Sequence, residues 1–140
     1  MSELRTRAVL IGSLVDIGGT FIAGSLLIAA VATATGATTP EQLARTLDAA
    51  PSLQLATLAL GLLMTLVGAY VAARLAPGAE RMHAFAVGVI ATLIGFSSVF
   101  ASPGSSPFWS QAAGLILTVP AAFAGGEIRR AQARQGRKAP

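Results

Sequence analysis

The sequence predicts an all-α integral membrane protein: a four-helix bundle made of two parallel helical hairpins, with a short interfacial helix between spans one and two. Two properties of the chain lead to this class. Hydrophobic residues make up 54% of its 140 residues and charged residues 11%, whereas about 25% of residues in soluble domains are charged. The apolar residues also form four long runs, and a helix needs about 20 such residues to cross a bilayer.

The four runs define the organisation of the chain. The predicted spans are at about residues 8–33, 53–75, 82–101 and 108–128, and a basic tail follows at 129–140. A chain of this length is expected to form one domain, so we predict a single transmembrane domain.

The first run also has features of a secretory signal peptide. Arg5 and Arg7 give it a basic start, and Ala32, Thr33 and Ala34 look like a small-residue cleavage site. The hydrophobic region of a signal peptide is about 7 to 15 residues long, which is shorter than this run. We therefore expect the run to remain in the protein as a span.

The positive charges predict how the chain is threaded. Lys and Arg residues of short loops concentrate on the cytoplasmic side of a membrane, and nine of the ten in this chain flank the predicted inner ends of the spans. The tenth, Arg45, lies between the first two spans. This pattern predicts a multi-pass protein of the bacterial inner membrane with both termini cytoplasmic and outer loops at 35–52 and 102–107. It also explains the net charge of +4 without a nucleic-acid partner.

Both outer loops are predicted to meet the membrane surface. The first holds a helix at about 40–49, because Thr39 suits the cap position and Gln42 completes a capping box. We expect this helix to lie on the outer surface of the membrane. The second loop, "SPGSSPFW", is predicted to be a tight turn that places Phe108 and Trp109 at the level of the lipid headgroups.

Small residues predict close packing between the spans. Helices in lipid associate through close packing and interhelical hydrogen bonds, because lipid is as apolar as leucine. The glycines expected on the contact faces are Gly12, Gly19, Gly24, Gly61, Gly68, Gly88, Gly95 and Gly114. A weak internal repeat, "GLLMTLVGAYVAARLA" and "GLILTVPAAFAGGEIRRA", fits two parallel hairpins, and we attribute it to coincidence or old duplication rather than to transport machinery.

Asp16 is an acidic residue well inside a predicted span. A charged side chain there costs about 2.5 to 3.5 kcal/mol, so an intramembrane Asp usually faces the protein interior and marks a candidate site. At 1.5 Å per residue it lies roughly 13 Å from Arg7, and hydroxyls on the other spans reach a similar depth. The candidate polar site comprises Asp16, Thr20, Thr65, Tyr70, Arg74, Thr92 and Thr118.

Three roles are open for Asp16. As a neutral acid bonded to Thr65, Thr92 or Tyr70, it would pin the bundle together. As a carboxylate paired with Arg74, it would also be structural. In a carrier it would exchange a proton or an ion. Pinning is favoured, because transport pathways generally contain more than one intramembrane ionisable group.

Three other conspicuous residues are interpreted as structural. Pro120 removes a backbone donor and is expected to bend the fourth span. His83, the single histidine, is interpreted as an interfacial polar residue, since one His does not make a metal site. Glu127 is expected to pair with Arg130 or Arg74.

The sequence contains no pattern that indicates catalysis. It has no cysteine, which excludes disulfides and thiolate metal sites. It also lacks the GxSxG, HExxH and P-loop motifs, and Ser97 and Ser98 have no base nearby. We predict that the protein is not an enzyme and uses no metal and no cofactor.

Three segments, "LVDIGGT", "LVGAYVAARLA" and "ERMHAFAVGVIATLIG", resemble a group of small bacterial four-span membrane proteins of unknown function. That group carries Val-Asp in span one, a Gly-Gly-Tyr-like stretch ending in Arg in span two, and His-Gly at the start of span three. The equivalents here are Val15-Asp16, Gly68-Ala69-Tyr70 through Arg74, and His83-Ala84. Ala69 and Ala84 depart from the pattern. The resemblance implies the fold and the membrane setting and no activity.

These observations predict a non-enzymatic function. The first hypothesis is an accessory or scaffolding subunit that sits in the lipid bilayer and packs through its glycine faces against other membrane subunits or a second copy of itself. The alternative is a small transporter or proton-coupled carrier in which Asp16 changes its protonation state.

Overall fold

The protein is almost entirely helical. A computed structural model describes residues 4–101 and 107–136. Its helices in these ranges are α1 (Thr6–Thr35), α2 (Pro40–Ala49), α3 (Pro51–Leu75), α4 (Glu80–Ala101) and α5 (Phe108–Gly136). All except α2 are long and apolar enough to cross a membrane. The structure therefore confirms the all-α four-helix bundle of a membrane protein.

The long helices extend past the apolar runs. The largest difference is at α5, which continues through Pro120 and ends at Gly136, so much of the predicted basic tail is helical. Apolar composition marks the part of a helix that suits lipid, whereas backbone hydrogen bonding continues into residues such as Arg, Ala and Gln that favour helix. Residues 137–140 and most of the predicted turn at 102–107 lie outside the described residues.

The α2 helix is capped as predicted. The Thr39 hydroxyl accepts the backbone N–H of Gln42 at 3.3 Å, and the Gln42 side-chain oxygen accepts the backbone N–H of Thr39 at 3.4 Å. The helix is tied to α3, which begins at Pro51, because Gln54 Nε2 donates to the backbone oxygen of Asp48 at 2.9 Å. This tie holds α2 over one end of the bundle.

α3 is the central helix of the bundle. It packs against α1, α4 and α5, whereas α1 and α5 make no contact within the described ranges. Arg5 at the start of α1 contacts His83 of α4, and Arg81 of α4 pairs with Glu127 of α5. The start of α1, the link between α3 and α4 and the C-terminal part of α5 therefore meet at one end, named here the arginine end. The opposite end is named the α2 end.

The core lies in the half of the bundle nearest the arginine end. Its side chains are small, and the largest of those fully buried are His83 and Val87. The cluster consists of Val9, Ala69, Ala72, Ala84, Val87 and Ala122. Small side chains let helix backbones approach closely, so this half of the bundle is closed by backbone proximity rather than by bulky residues.

Glycines at the arginine end make that approach possible. A Cβ atom added to Gly68 of α3 would lie 2.5 Å from the carbonyl oxygen of Gly12 in α1, and one added to Gly88 of α4 would lie 2.8 Å from the Cβ of Ala122 in α5. A Cβ on Gly125 of α5 would collide with a backbone oxygen of α3. Each crossing has no room for one more methyl group.

The other glycines that the sequence singles out behave differently. Gly19 faces the flexible side chain of Met64, and Gly95 and Gly114 are in or near ordinary contact with leucine side chains. Gly24 and Gly61 have no atom of another element within 4 Å of a built Cβ. Among the described residues, neither glycine is in close contact with another helix.

Candidate functional site

Asp16 lies where the closed half of the bundle ends. Its side chain is 5% exposed, and the hydroxyl of Thr65 donates a hydrogen bond to its Oδ1 at 3.0 Å. Gly12 and Gly68, each about one turn closer to the arginine end, hold the α1 and α3 backbones together. Because the backbones are this close, the two short polar side chains can meet across the interface.

Beyond Asp16 the helices border a half-open cavity of about 590 Å³. This volume falls within the range of roughly 300–1,000 Å³ that is typical of small-molecule sites. All four long helices and α2 contribute to its wall. Asp16, Thr65 and Thr118 line the end nearest the closed half, and Asp48 and Gln54 line the end beneath α2. The tightly packed crossings described above close the cavity on the side of the arginine end.

The cavity reaches deep into the bundle. Thr65 and Gln54 are eleven residues apart in α3 and both line the wall, which corresponds to roughly 16 Å along the helix. The hydrocarbon core of a bilayer is about 30 Å thick. The cavity therefore extends over about half of the membrane-spanning length of the protein.

Between its two polar ends the cavity is apolar. Side chains from three helices form this part of the wall: Ile17, Phe21, Leu58, Leu62 and Ile94. A mostly apolar wall with a few polar groups is the usual composition of a ligand pocket, because the wall supplies affinity and the polar groups fix orientation.

Acidic side chains supply the charge of the lining. Asp16 and Asp48 line the cavity, and its described lining contains no Arg, Lys or His. Arg45 of α2 is absent from that lining. Among the described residues no group of three or more acidic or histidine side chains is arranged to hold a metal ion.

The structure brings several residues of the predicted polar site together. Thr20, Thr65 and Thr118 line the cavity with Asp16. Thr92 does not line it, and donates its hydroxyl proton to the carbonyl oxygen of Gly88 at 2.8 Å. Of these four threonines, only Thr65 bonds Asp16 in the described structure.

Tyr70 and Arg74 lie away from Asp16. The Tyr70 hydroxyl donates to Gln132 of α5 at 2.8 Å, and Arg74 is exposed with no ion pair to Asp16 among the described residues. At 3.6 residues per turn, Tyr70 is rotated by about 140° from Thr65 around α3, and Arg74 by about 180°. The described residues therefore do not contain the alternative ion pair between Asp16 and Arg74.

His83 is buried, which its interpretation as an interfacial polar residue did not predict. Its side chain is 0% exposed. Its Nε2 accepts the backbone N–H of Arg5 at 2.8 Å, while Nδ1 lies 2.9 Å from the backbone oxygen of Ala79. Nε2 can accept only if the proton is on Nδ1, which then donates to Ala79. The imidazole thus satisfies the N-cap residue of α1, which has no side-chain cap of its own.

Glu127 joins α4 to α5 at the arginine end. It pairs with Arg81 and lies 3.8 Å from Arg130, so Arg81 takes the place that the sequence interpretation gave to Arg74. The guanidinium of Arg81 also lies over the ring of Phe123, 5.6 Å from its centre. Exposed ion pairs of this kind contribute little to stability, and the contact serves mainly to align the two helices.

Sequence reasoning missed several residues around Asp16. Asp48, Gln54 and Ser110 line the cavity, although their positions in loops or at span ends suggested only interfacial roles. Ser13 is also buried, and its hydroxyl has no hydrogen-bond partner in the described structure. The available signal was its spacing, because Ser13 precedes Asp16 by three residues and so shares its face of α1.

Comparison with known proteins adds no functional assignment. No family model matches this chain, and no curated protein or solved structure is significantly similar to it. The resemblance to small bacterial four-span proteins therefore stays a prediction.

Proposed function

We propose that the protein is a small proton-coupled carrier that binds its substrate in the cavity and exchanges a proton at Asp16. One observation carries this proposal: a cavity of ligand size ends on a buried carboxyl group that has no cationic partner among the described residues. The proposed function is not enzymatic. It lies in the bacterial inner membrane with the arginine end toward the cytoplasm, as the charge pattern predicts.

The proposed exchange follows from the cost of burying charge. A carboxylate without a partner is unfavourable in an apolar environment, and one hydroxyl bond from Thr65 compensates for part of that cost. Without substrate, the neutral acid is then the favoured form of Asp16. When substrate interacts with the carboxylate, the proton leaves, and this difference couples binding to the proton gradient.

The closed half of the bundle supplies the proposed gate. Its crossings consist of glycine and alanine contacts. The proposed carrier requires the hairpin of α1 and α3 and the hairpin of α4 and α5 to rock against each other at these crossings, as in alternating access. Rocking that separates this half would open Asp16 toward the arginine end.

An accessory or scaffolding subunit is the second candidate. Gly24 supports it, since no other helix of the described residues lies close to this glycine, which leaves its face available to another subunit, a second copy or lipid. Several of the glycines expected to form such faces, including Gly12, Gly68 and Gly88, are used inside the bundle. This reduces the support for the accessory hypothesis.

Labelling of single cysteines tests the carrier. The native chain has no cysteine, so Thr118→Cys near Asp16 and Thr57→Cys nearer the α2 end each introduce one thiol into the cavity wall. Leu63→Cys is the matched control, because Leu63 is 52% exposed and does not line the cavity. A membrane-impermeant maleimide is applied from each side of the membrane in turn.

A carrier is expected to expose Thr118→Cys to both sides and Thr57→Cys mainly to the side of the α2 end. Leu63→Cys, facing lipid, should react from neither side. Reaction of Thr118→Cys from the α2 side alone, with and without a proton gradient, would contradict the proposal and favour the accessory role.

Flux measurements supply the second test. Proteoliposomes with an imposed proton gradient are offered a panel of labelled cationic, neutral and anionic compounds, with the native chain or Asp16→Asn in the membrane. Gradient-driven uptake should occur with the native chain and be lost in the variant. Equal uptake by both, or none by either, would argue against proton-coupled transport.

A further inference from the structure

The cavity has a chemical preference that its hydrogen bonds and charges define. We infer that it selects amphipathic cations, molecules that combine a protonated amine with an apolar body. This inference rests on the proposed substrate site and specifies what that site recognises.

Charge is the first reason. Asp16 and Asp48 mark the deep end and the α2 end of the cavity, and the described lining contains no basic residue. A carboxylate at the mouth of a cleft with low-dielectric walls concentrates ions of the opposite sign, and Asp16, which is neutral without substrate, releases its proton when the cation binds. The two carboxyl groups lie at opposite ends of the wall, so a cation is attracted at the mouth by Asp48 and bound at the deep end by Asp16.

Hydrogen-bond polarity is the second reason, and it is independent of charge. The hydroxyl protons of Thr57, Thr65, Ser110 and Thr118 are already donated within the protein, to Leu53 O, Asp16 Oδ1, Pro107 O and Gly114 O. The amide nitrogen of Gln54 likewise donates to Asp48 O. The oxygen atoms of these side chains remain able to accept.

These five side chains therefore offer acceptor oxygens, while their donors are already bonded within the protein. An ammonium group is a donor with no acceptor, as the lysine side chain shows, so it matches this wall. A carboxylate or phosphate requires donors, and the donors of these five side chains are already bonded to acceptors within the protein. Anionic substrates are disfavoured by both charge and hydrogen bonding.

The apolar middle of the wall determines which kind of molecular body the cation should carry. Leu58, Leu62 and Ile94 lie between the polar ends and offer no ligand to a hydrated inorganic ion. Removing an apolar body from water is favourable, and a cavity of about 590 Å³ accepts one of considerable size. A cation with an aromatic or aliphatic body satisfies both parts of the wall.

Three fluorescent probes of similar shape and different charge test the inference. They are 9-(aminomethyl)anthracene, which is cationic at neutral pH, the neutral 9-anthracenemethanol and the anionic 9-anthracenecarboxylate. Binding to the full chain in lipid nanodiscs is measured at equilibrium, and nanodiscs without protein correct for partition into lipid. The cation is expected to bind at least about tenfold more tightly than the alcohol, as a hydrogen-bonded charge warrants. Equal or tighter binding of the alcohol or the anion would overturn the inference and indicate a lipid-like occupant.

Variants locate the binding. Asp16→Asn should lower the affinity for the cation at least about tenfold and leave the affinity for the alcohol unchanged. Asp16→Glu should restore the preference for the cation. Asp48→Asn should lower the affinity for the cation about twofold to threefold, and added salt should remove this difference. Glu41→Gln, an acidic residue of the same helix outside the cavity lining, is its matched control and should have no effect. Unchanged cation binding in Asp16→Asn would overturn the inference.

Filling the cavity gives a test that does not alter charge. Gly61 lines the cavity, and a Cβ built on it meets no atom within 4 Å, so Gly61→Leu should fold and project into the space. It should lower the affinity of the cation by at least about tenfold. Full affinity in a folded Gly61→Leu protein would place the ligand elsewhere and overturn the inference.

Equilibrium binding separates this inference from the proposed function. If the cation binds through Asp16 while Thr118→Cys reacts from one side alone, the inference holds and the carrier fails. If Thr118→Cys reacts from both sides while the three probes bind equally, the carrier stands and the inference fails.

Discussion

The two halves of the bundle are built from the same helices and yet differ in packing. At the arginine end, glycine and alanine of one helix meet glycine and alanine of the next, as at Gly12 and Gly68 or Gly88 and Ala122. Toward the α2 end, Leu58 and Ile94 line the space between the helices instead. Alignment of small residues across a crossing closes one half, and its loss opens the other.

Gly61 and Gly68 show this difference within one helix. They are two turns apart in α3, and a Cβ on Gly68 would lie 2.5 Å from a backbone oxygen whereas one on Gly61 would meet nothing within 4 Å. The residue type is the same, so the neighbouring helix decides whether a glycine is a contact or a part of the cavity wall. Asp16 lies at the boundary between the two situations.

The largest effect on stability is expected from adding a methyl group to a glycine at a close helix crossing. Gly68→Ala forces a methyl group against the backbone of α1, and overpacking of this kind costs about 1–3 kcal/mol. Gly61→Ala, its control, should be neutral or raise the free energy of unfolding by up to about 1 kcal/mol through helix propensity. Unfolding in mild detergent, followed by circular dichroism, compares the two. Equal effects of the two substitutions would remove the distinction between the halves.

A smaller loss is expected at the buried histidine. His83→Phe keeps an aromatic ring of similar size in the closed half but removes the acceptor of the Arg5 N–H. An unsatisfied buried donor costs about 1–3 kcal/mol; this bond is only partly buried, so the loss should lie at the lower end of that range, and the start of α1 should fray. Hydrogen exchange at the first amides of α1 measures this directly. Thr92→Val, which removes a hydroxyl bonded within its own helix, should leave that exchange unchanged; faster exchange there too would point to a general loosening.

The bond at the boundary should contribute less. Thr65→Val removes the donor to Asp16, and interhelical hydrogen bonds in membranes contribute about 0.6 kcal/mol on average and up to about 1.7 kcal/mol. A double-mutant cycle with Asp16→Ala, which removes the acceptor, and the free energy of unfolding as its readout isolates the pair. A coupling of about zero would show that Asp16 does not pin the bundle, and one well above this range would favour a structural role over the carrier.

The smallest effect concerns the hydroxyl next to that boundary. Ser13 Oγ is buried without a partner in the described structure, and a buried polar group without a hydrogen bond is destabilising. Ser13→Ala should therefore leave the free energy of unfolding unchanged or raise it by up to about 1 kcal/mol. Thermal unfolding in detergent checks the sign. A clear loss would mean that the hydroxyl is used, for example as a relay beside Asp16.

Sequence reasoning succeeded where the signal is local or compositional. Residue type and spacing alone predicted the four apolar helices and the capping box of Thr39 and Gln42, and the structure contains both. It failed where rotation matters, as at Tyr70, which lies nearer the arginine end than Asp16 and on a face of α3 that turns toward Gln132. It also did not predict the burial of His83, because nothing in the sequence shows that the start of α1 lacks a side-chain cap and lies beside this residue.

Composition and charge by themselves determined that the chain forms apolar helices, since an apolar run of this length has few stable alternatives in a bilayer. They also singled out Asp16, because a carboxyl in such a run is costly. The tertiary structure alone decided which glycines touch, that His83 is buried, and that a cavity opens above Asp16. These features depend on the rotation and crossing of helices, which result from packing among residues far apart in the chain.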